Sequence, residues 1–203
     1  MNHLLTSTSS KPWFLVDTAD ATTGGATGTS SEALHQLLPF KDTLPGLVYL
    51  WTVDPDTVSR AKAGAKNFQT GQPACNWEAD ILQTGPSLFK PRGSGYTGMT
   101  FDLGESAVLS SGQIRLVVTS KPCLVADPAF FENQNLDPNQ ALAIQVKSFK
   151  GWQAGYGETA DRGLYFDGPG ATSLQFTHLP YTGVNRNLFP ITEKPTKPIE
   201  LWE

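Results

Sequence analysis

Glu158, Asp161 and Asp167 fall within the stretch GWQAGYGETADRGLYFDGPG (151–170), interleaved with Trp152, Tyr156, Tyr165 and six glycines. Two chemistries suit such a set. A pair of carboxyl groups at the right separation can act as acid and base, or acid and nucleophile, in glycosidic cleavage. Exposed rings beside polar tips can instead stack on sugar C–H faces, or anchor a protein interface, where Trp, Tyr and Arg are enriched. Trp152, Tyr156, Tyr165, Asp161 and Arg162 are accordingly the candidate ligand- or receptor-binding residues. The alternative for Trp152 and Tyr156 is simple core packing.

Other chemistry finds little support in the spacing. His3, His35 and His178 have no nucleophile-elbow motif in their company, and GESAVLSSG is not G-x-S-x-G. Asp54 and Asp56 in DPDT could be read as a metal pair, but Asp-Pro recurs at 127–128 and 137–138. Turn and cap chemistry explains all three, because Asp bonds to nearby amides and Pro fixes the next φ. Glu78 and Asp80 are a further carboxylate pair on a wet strand face. KPRGSGYTG (90–98) lacks the G-K-[ST] ending of a phosphate loop. No catalytic residue, metal ligand or cofactor is therefore expected. Cys75 and Cys123 read as two buried free thiols, although a disulfide between them stays open.

The elements that would position these residues follow a period of two. Ile114, Leu116 and Val118 oppose Arg115, Val117 and Thr119; Leu142, Ile144 and Val146 oppose Ala143, Gln145 and Lys147. Met99, Phe101 and Leu103 form a third set, and Leu174 with Phe176 a fourth. Alternation of this kind marks strands with one buried and one wet face, and favours antiparallel sheets. GLVYLWTV (46–53) is apolar on both sides and reads as a central strand; 12–17, 77–83 and 163–167 are further strands. Helix is scarce: a short one at SSEALHQLL, and one opened by Asp54 with Pro55 in its first turn. The fold class expected is thus all-β: a single antiparallel β-sandwich or β-barrel of jelly-roll or Greek-key type, with long loops and one or two short helices. It spans 1–203 as one β domain, with a flexible loop at 18–31 and an extended Pro-rich tail at 190–203. Within 151–170, FKGWQAGYG and RGLYFDGPG read as two strand ends joined by a loop that displays aromatics.

Bulk composition narrows the partners. Only 17% of residues are charged and the net charge is -4, where about a quarter charged is usual. Nucleic acid is excluded as a partner because its affinity comes from clustered Lys and Arg. The nearest cluster, Arg60, Lys62 and Lys66, reads as a solvated face. The N-terminus carries no signal peptide, and no apolar run reaches the roughly 20 residues of a membrane span.

This texture, carried by PGLVYLWTVDPDT, TTGGATGTSS and the aromatic-glycine segment 151–170, resembles the capsid spike or protruding domains of small non-enveloped RNA viruses, the astrovirus spike among them. The resemblance implies a virion-surface, non-enzymatic, homodimeric projection that attaches to a host cell-surface receptor or glycan and faces neutralising antibodies. Two other classes remain open: a carbohydrate-binding β-sandwich module or phage receptor-binding protein, and a small β-fold hydrolase using Glu158, Asp161 or Asp167.

Overall fold

A computed structural model describes Leu4, residues 11–183, Asn187 and residues 189–192. Its centre is a seven-stranded mixed sheet in the order β5-β6-β7-β2-β8-β1-β9. The strands are β1 (Trp13–Asp17), β2 (Leu47–Val53), β5 (Asp80–Phe89), β6 (Phe101–Ser111), β7 (Ile114–Thr119), β8 (Ala141–Val146) and β9 (Gly163–Phe166). Strands β7, β2, β8, β1 and β9 run parallel to one another. Only β5 and β6 join the sheet by antiparallel pairing. A separate hairpin, β3 (Asn67–Thr70) with β4 (Cys75–Glu78), packs beside it.

Among the described residues, four short α-helices cover both faces. α1 (Glu32–Leu37) and α2 (Pro55–Lys62) lie on one side, where Leu34, Leu37, Val58 and Ala61 pack with Leu50, Leu116 and Val118. α3 (Pro128–Asn133) and α4 (Gly151–Tyr156) lie on the other, where Phe130, Phe131 and Trp152 pack with Phe14, Trp51 and Ile144. The two cores make a three-layer α/β/α domain.

The expected antiparallel sandwich or barrel is overturned, and the physical reason is burial on both faces. Parallel strands covered by helices read as near-continuous apolar runs. WFLV, LVYLW and LVV are such runs; Leu116 points to one core and Val117 to the other. Gln145 and Lys147, assigned to a wet face by alternation, are buried. Residues 151–156 form α4 rather than a strand, and the expected strand around Leu174 and Phe176 is a turn followed by the 3-10 helix Phe176–His178.

Several local readings hold. β2 is central and buried from Val48 to Val53. Asp54 caps α2, its carboxylate accepting from Thr57 N at 2.9 Å, with Pro55 in the first turn. Gly64, at φ +79°, follows the end of that helix. Asp127 caps α3 in the same way through Ala129 N. Cys75 and Cys123 are both free thiols, but only Cys75 is buried; Cys123, expected buried, is half-buried, and its burial pushes the thiol up to about 11. Among the described residues no helix is long and apolar enough to cross a membrane. His3 and residues 193–203 of the tail, Trp202 included, lie outside the described residues.

Candidate functional site at the carboxyl ends of the parallel strands

Every parallel strand ends on the same edge of the sheet, at Asp17, Val53, Thr119, Val146 and Phe166. The chain leaves β2 towards α2 on one face and leaves β8 towards α4 on the other, although β2 and β8 are neighbours. Adjacent strands whose connections depart to opposite faces open a crevice between them, which is where open α/β sheets take their ligands.

In this chain the crevice is filled by its own backbone. Pairing of β2 with β8 ends at Tyr49 and Ile144. Beyond that point Trp51 N donates to Gln145 Oε1 at 3.1 Å, and Val53 N donates to Gly28 O at 2.9 Å. Segment 18–31, expected as a flexible surface loop, wraps over this edge with Thr18, Asp20, Ser30 and Ser31 buried. Glycine is required at position 28. Its φ is +78°, and a Cβ there would stand 2.9 Å from both Thr22 Cγ2 and Val53 Cγ2.

Lys147, one residue past β8, holds that loop. Its ammonium donates to Asp20 Oδ2 at 2.6 Å, Gly28 O at 3.0 Å and Ser30 O at 2.8 Å, which uses all three donors. It also lies 5.6 Å from the centre of the Trp51 ring. Asp20 in turn accepts from Gly28 N at 2.8 Å and Ser30 N at 2.7 Å. Burial pulls the Lys147 ammonium below its ordinary value, opposed by Asp20 and Asp17. Asp17 accepts from Ala19 N and Asp20 N through one oxygen, while its Oδ2 is buried with no hydrogen-bond partner among the described residues. Burial pushes Asp17 up to about 6; Lys147 works against that shift and Asp20 adds to it.

Beside this plug lies an open groove. A cavity of about 630 Å³ has Val53 and Asp54 as its floor, the first turns of α2 with Asp56 and Arg60 on one wall, and Gly71 and Gln72 of the β3–β4 turn on the other. Its walls are fixed. Asp54 Oδ2 accepts from Gly71 N at 2.9 Å, Gln72 N donates to Thr29 O at 2.8 Å, and Ser31 Oγ donates to Pro73 O. The chain of contacts thus runs from Lys147 through segment 18–31 to the groove wall.

The sequence-derived candidates lie elsewhere. Trp152 is 1% exposed and stacks on Phe14 with ring centres 4.5 Å apart; Tyr156 meets the same ring edge-on at 4.7 Å. Tyr165 is 46% exposed on β9 and pairs with Phe149. Asp161 forms surface ion pairs with Lys11 at 3.6 Å and Arg162 at 3.3 Å, and Arg162 lies over the Trp13 ring. Asp167 accepts from Thr18 Oγ1 at 2.9 Å and from Ser173. The set therefore divides between the core and the rim of β9 rather than meeting in one cleft. Lys147, Asp20, Asp17 and Gly28 were missed; the signal available was a lysine directly after the apolar run ALAIQV.

The fold and its edge define an open α/β domain of the doubly wound kind. The chain belongs to the family whose model is described as MlrC C-terminus, which matches residues 15–183. Among solved structures it is similar to a putative metallopeptidase from Mesorhizobium sp. BNC1, with a TM-score of 0.80 and 23% sequence identity over 97% of this chain. The match covers 40% of that chain, so the present sequence spans less than half of its neighbour's length. Comparison with curated proteins returns no match.

These findings overturn the capsid-spike resemblance. The expected non-enzymatic role, the receptor and antibody partners, the spike homodimer and the virion-surface location rested on it and fall with it.

Proposed function

We propose that this chain is the substrate-positioning domain of a metallopeptidase-like hydrolase. The observation that carries the reading is the groove at the carboxyl end of β2, in a fold shared with the metallopeptidase neighbour. A ligand bound there would lie against the sheet edge that α/β folds use for chemistry.

The described residues do not fit a catalytic metal. They contain no group of three His, Cys, Asp or Glu side chains able to hold one. Asp20 is already engaged: it binds the Lys147 ammonium, which occupies the cradle formed with the Gly28 and Ser30 carbonyls. The unpartnered Asp17 Oδ2 is a single carboxylate oxygen with no second and third ligand grouped around it among the described residues. The role derived for this domain is accordingly to bind a peptide, orient it and keep its groove rigid.

The test is peptide binding and metal content of the 203-residue chain. Fluorescence polarisation with a set of unstructured peptides should show saturable binding, and incubation with Zn²⁺ followed by gel filtration should leave metal below one equivalent. Failure to bind any peptide would remove the positioning role. Stoichiometric metal together with peptide hydrolysis by this chain would overturn the division of labour.

A further inference from the structure

The groove does not stop at Arg60. A second cavity of about 490 Å³ runs over the outer face of the β3–β4 hairpin, and Arg60 and Gln69 line both cavities. Together they form one channel from Gln72 at the sheet edge, along α2, to Asn76 and Glu78.

Four carboxamides, Asn67, Gln69, Gln72 and Asn76, stand along its lining. The hairpin alternates strictly, with Phe68, Thr70, Cys75 and Trp77 buried and Asn67, Gln69, Asn76 and Glu78 exposed. In the register Gln69 faces Asn76 across the strands, and Asn67 faces Glu78. A carboxamide carries donors and an acceptor on one planar group, the same inventory that a peptide unit presents. Arg60 is anchored where the two cavities meet, one nitrogen donating to Asn67 O at 2.7 Å. Three acids, Asp54, Asp56 and Glu78, and one base, Arg60, line the channel. Asp56 lies one turn before Arg60 on α2, and Glu78 and Lys66 share an adjoining cavity at the far end. An acid-rich lining does not favour a polyanion, and its carboxamides match an uncharged main chain.

We propose that this channel binds an extended peptide through its main chain, with Gln69, Gln72 and Asn76 pairing its amides and Arg60 donating to its carbonyl oxygens. The inference rests on the peptidase-type reading above and names the surface that reading uses. Side chains of the peptide would project from the channel, so recognition is broad in sequence and dependent on extended conformation.

The experiment is a titration of the ¹⁵N-labelled chain with an uncharged Ala/Thr/Leu peptide of about six residues, the length of one strand. Maltohexaose serves as the carbohydrate probe. Shift changes should map to Arg60, Gln69, Gln72 and Asn76. Arg60→Ala should weaken binding about tenfold or more, as loss of charge-assisted bonds does. Gln69→Ala, an exposed change on the hairpin, should weaken it severalfold with the remaining spectrum unchanged. Raising salt tenfold should leave affinity within about twofold, because the contacts are not ion pairs. Peptide binding that maps elsewhere and ignores both substitutions would overturn the channel while leaving a peptide-binding domain. Binding of maltohexaose with no response to peptide, or no response to either probe, would overturn both.

Discussion

Lys147 Nζ and Asp20 Oδ2 lie 2.6 Å apart, with both side chains almost wholly buried. The pair closes the crevice between β2 and β8, and it does so with partners for every donor of the ammonium. A buried ion pair is weak evidence of net stabilisation, but removing one member leaves the other charge uncompensated. Lys147→Met should therefore destabilise the protein by about 3–5 kcal/mol. Urea denaturation at neutral pH measures this, and a change within about 0.5 kcal/mol would contradict the lock.

Asp17 gives the protein a pH-dependent term. Its folded pKa is raised from 3.8 to about 6, so the folded state binds its proton more tightly than the unfolded state does. The contribution to stability is fully present below pH 3.8 and is lost as pH rises through about 6. Above that range the buried carboxylate costs on the order of 3 kcal/mol. Asp17→Asn keeps the oxygen that accepts from Ala19 N and Asp20 N and removes the charge. The variant should be the more stable protein at pH 7.5, and its urea midpoint should vary less between about pH 4 and pH 6.5. Equal slopes for the two proteins would show that Asp17 does not carry the effect.

Two glycines in one loop separate backbone strain from crowding. Gly25 and Gly28 both have positive φ, at +94° and +78°. A Cβ at Gly25 would meet nothing within 4 Å, whereas one at Gly28 would press on Thr22 and Val53 at 2.9 Å. Gly25→Ala should cost about 1 kcal/mol, and Gly28→Ala roughly 2–3 kcal/mol. Thermal unfolding of the two variants side by side tests whether segment 18–31 is packed into the sheet edge.

The aromatic residues of 151–170 make a matched pair of tests. Trp152→Ala should destabilise by about 3–5 kcal/mol because it empties the contact with Phe14. Tyr165→Ala, on the exposed side of β9, should stay within about 1 kcal/mol. Similar small effects at both positions would place Trp152 on the surface.

Local structure was legible in the sequence where one residue type has one use. Asp54-Pro55 announced the start of α2, and LVYLWTV announced a buried central strand. The layer arrangement was not legible, because period-two alternation was given more weight than runs such as WFLV that mark strands buried on both faces. The helices are only six to eight residues long, so they leave little of the 3.6-residue pattern. Gly155 is the clearest case: it sits inside α4, and a Cβ there would come within 1.8 Å of Ala126 O. That glycine permits close packing rather than a turn, and a sequence does not distinguish the two uses. The site was hidden for a related reason. Lys147 lies at a position that alternation assigns to solvent, and only the arrival of Asp20, Gly28 and Ser30 from more than a hundred residues away makes it a buried anchor.

A domain that positions a peptide at the carboxyl edge of its sheet must bind that peptide in solution. The most direct measurement is the dissociation constant of an uncharged extended peptide for the wild-type chain and for Arg60→Ala, read on the same ¹⁵N-labelled samples. Binding should be saturable, with shifts around Arg60, Gln69 and Gln72, and weakened about tenfold or more by the substitution. A wild-type chain that binds no peptide would show that the domain does not position one.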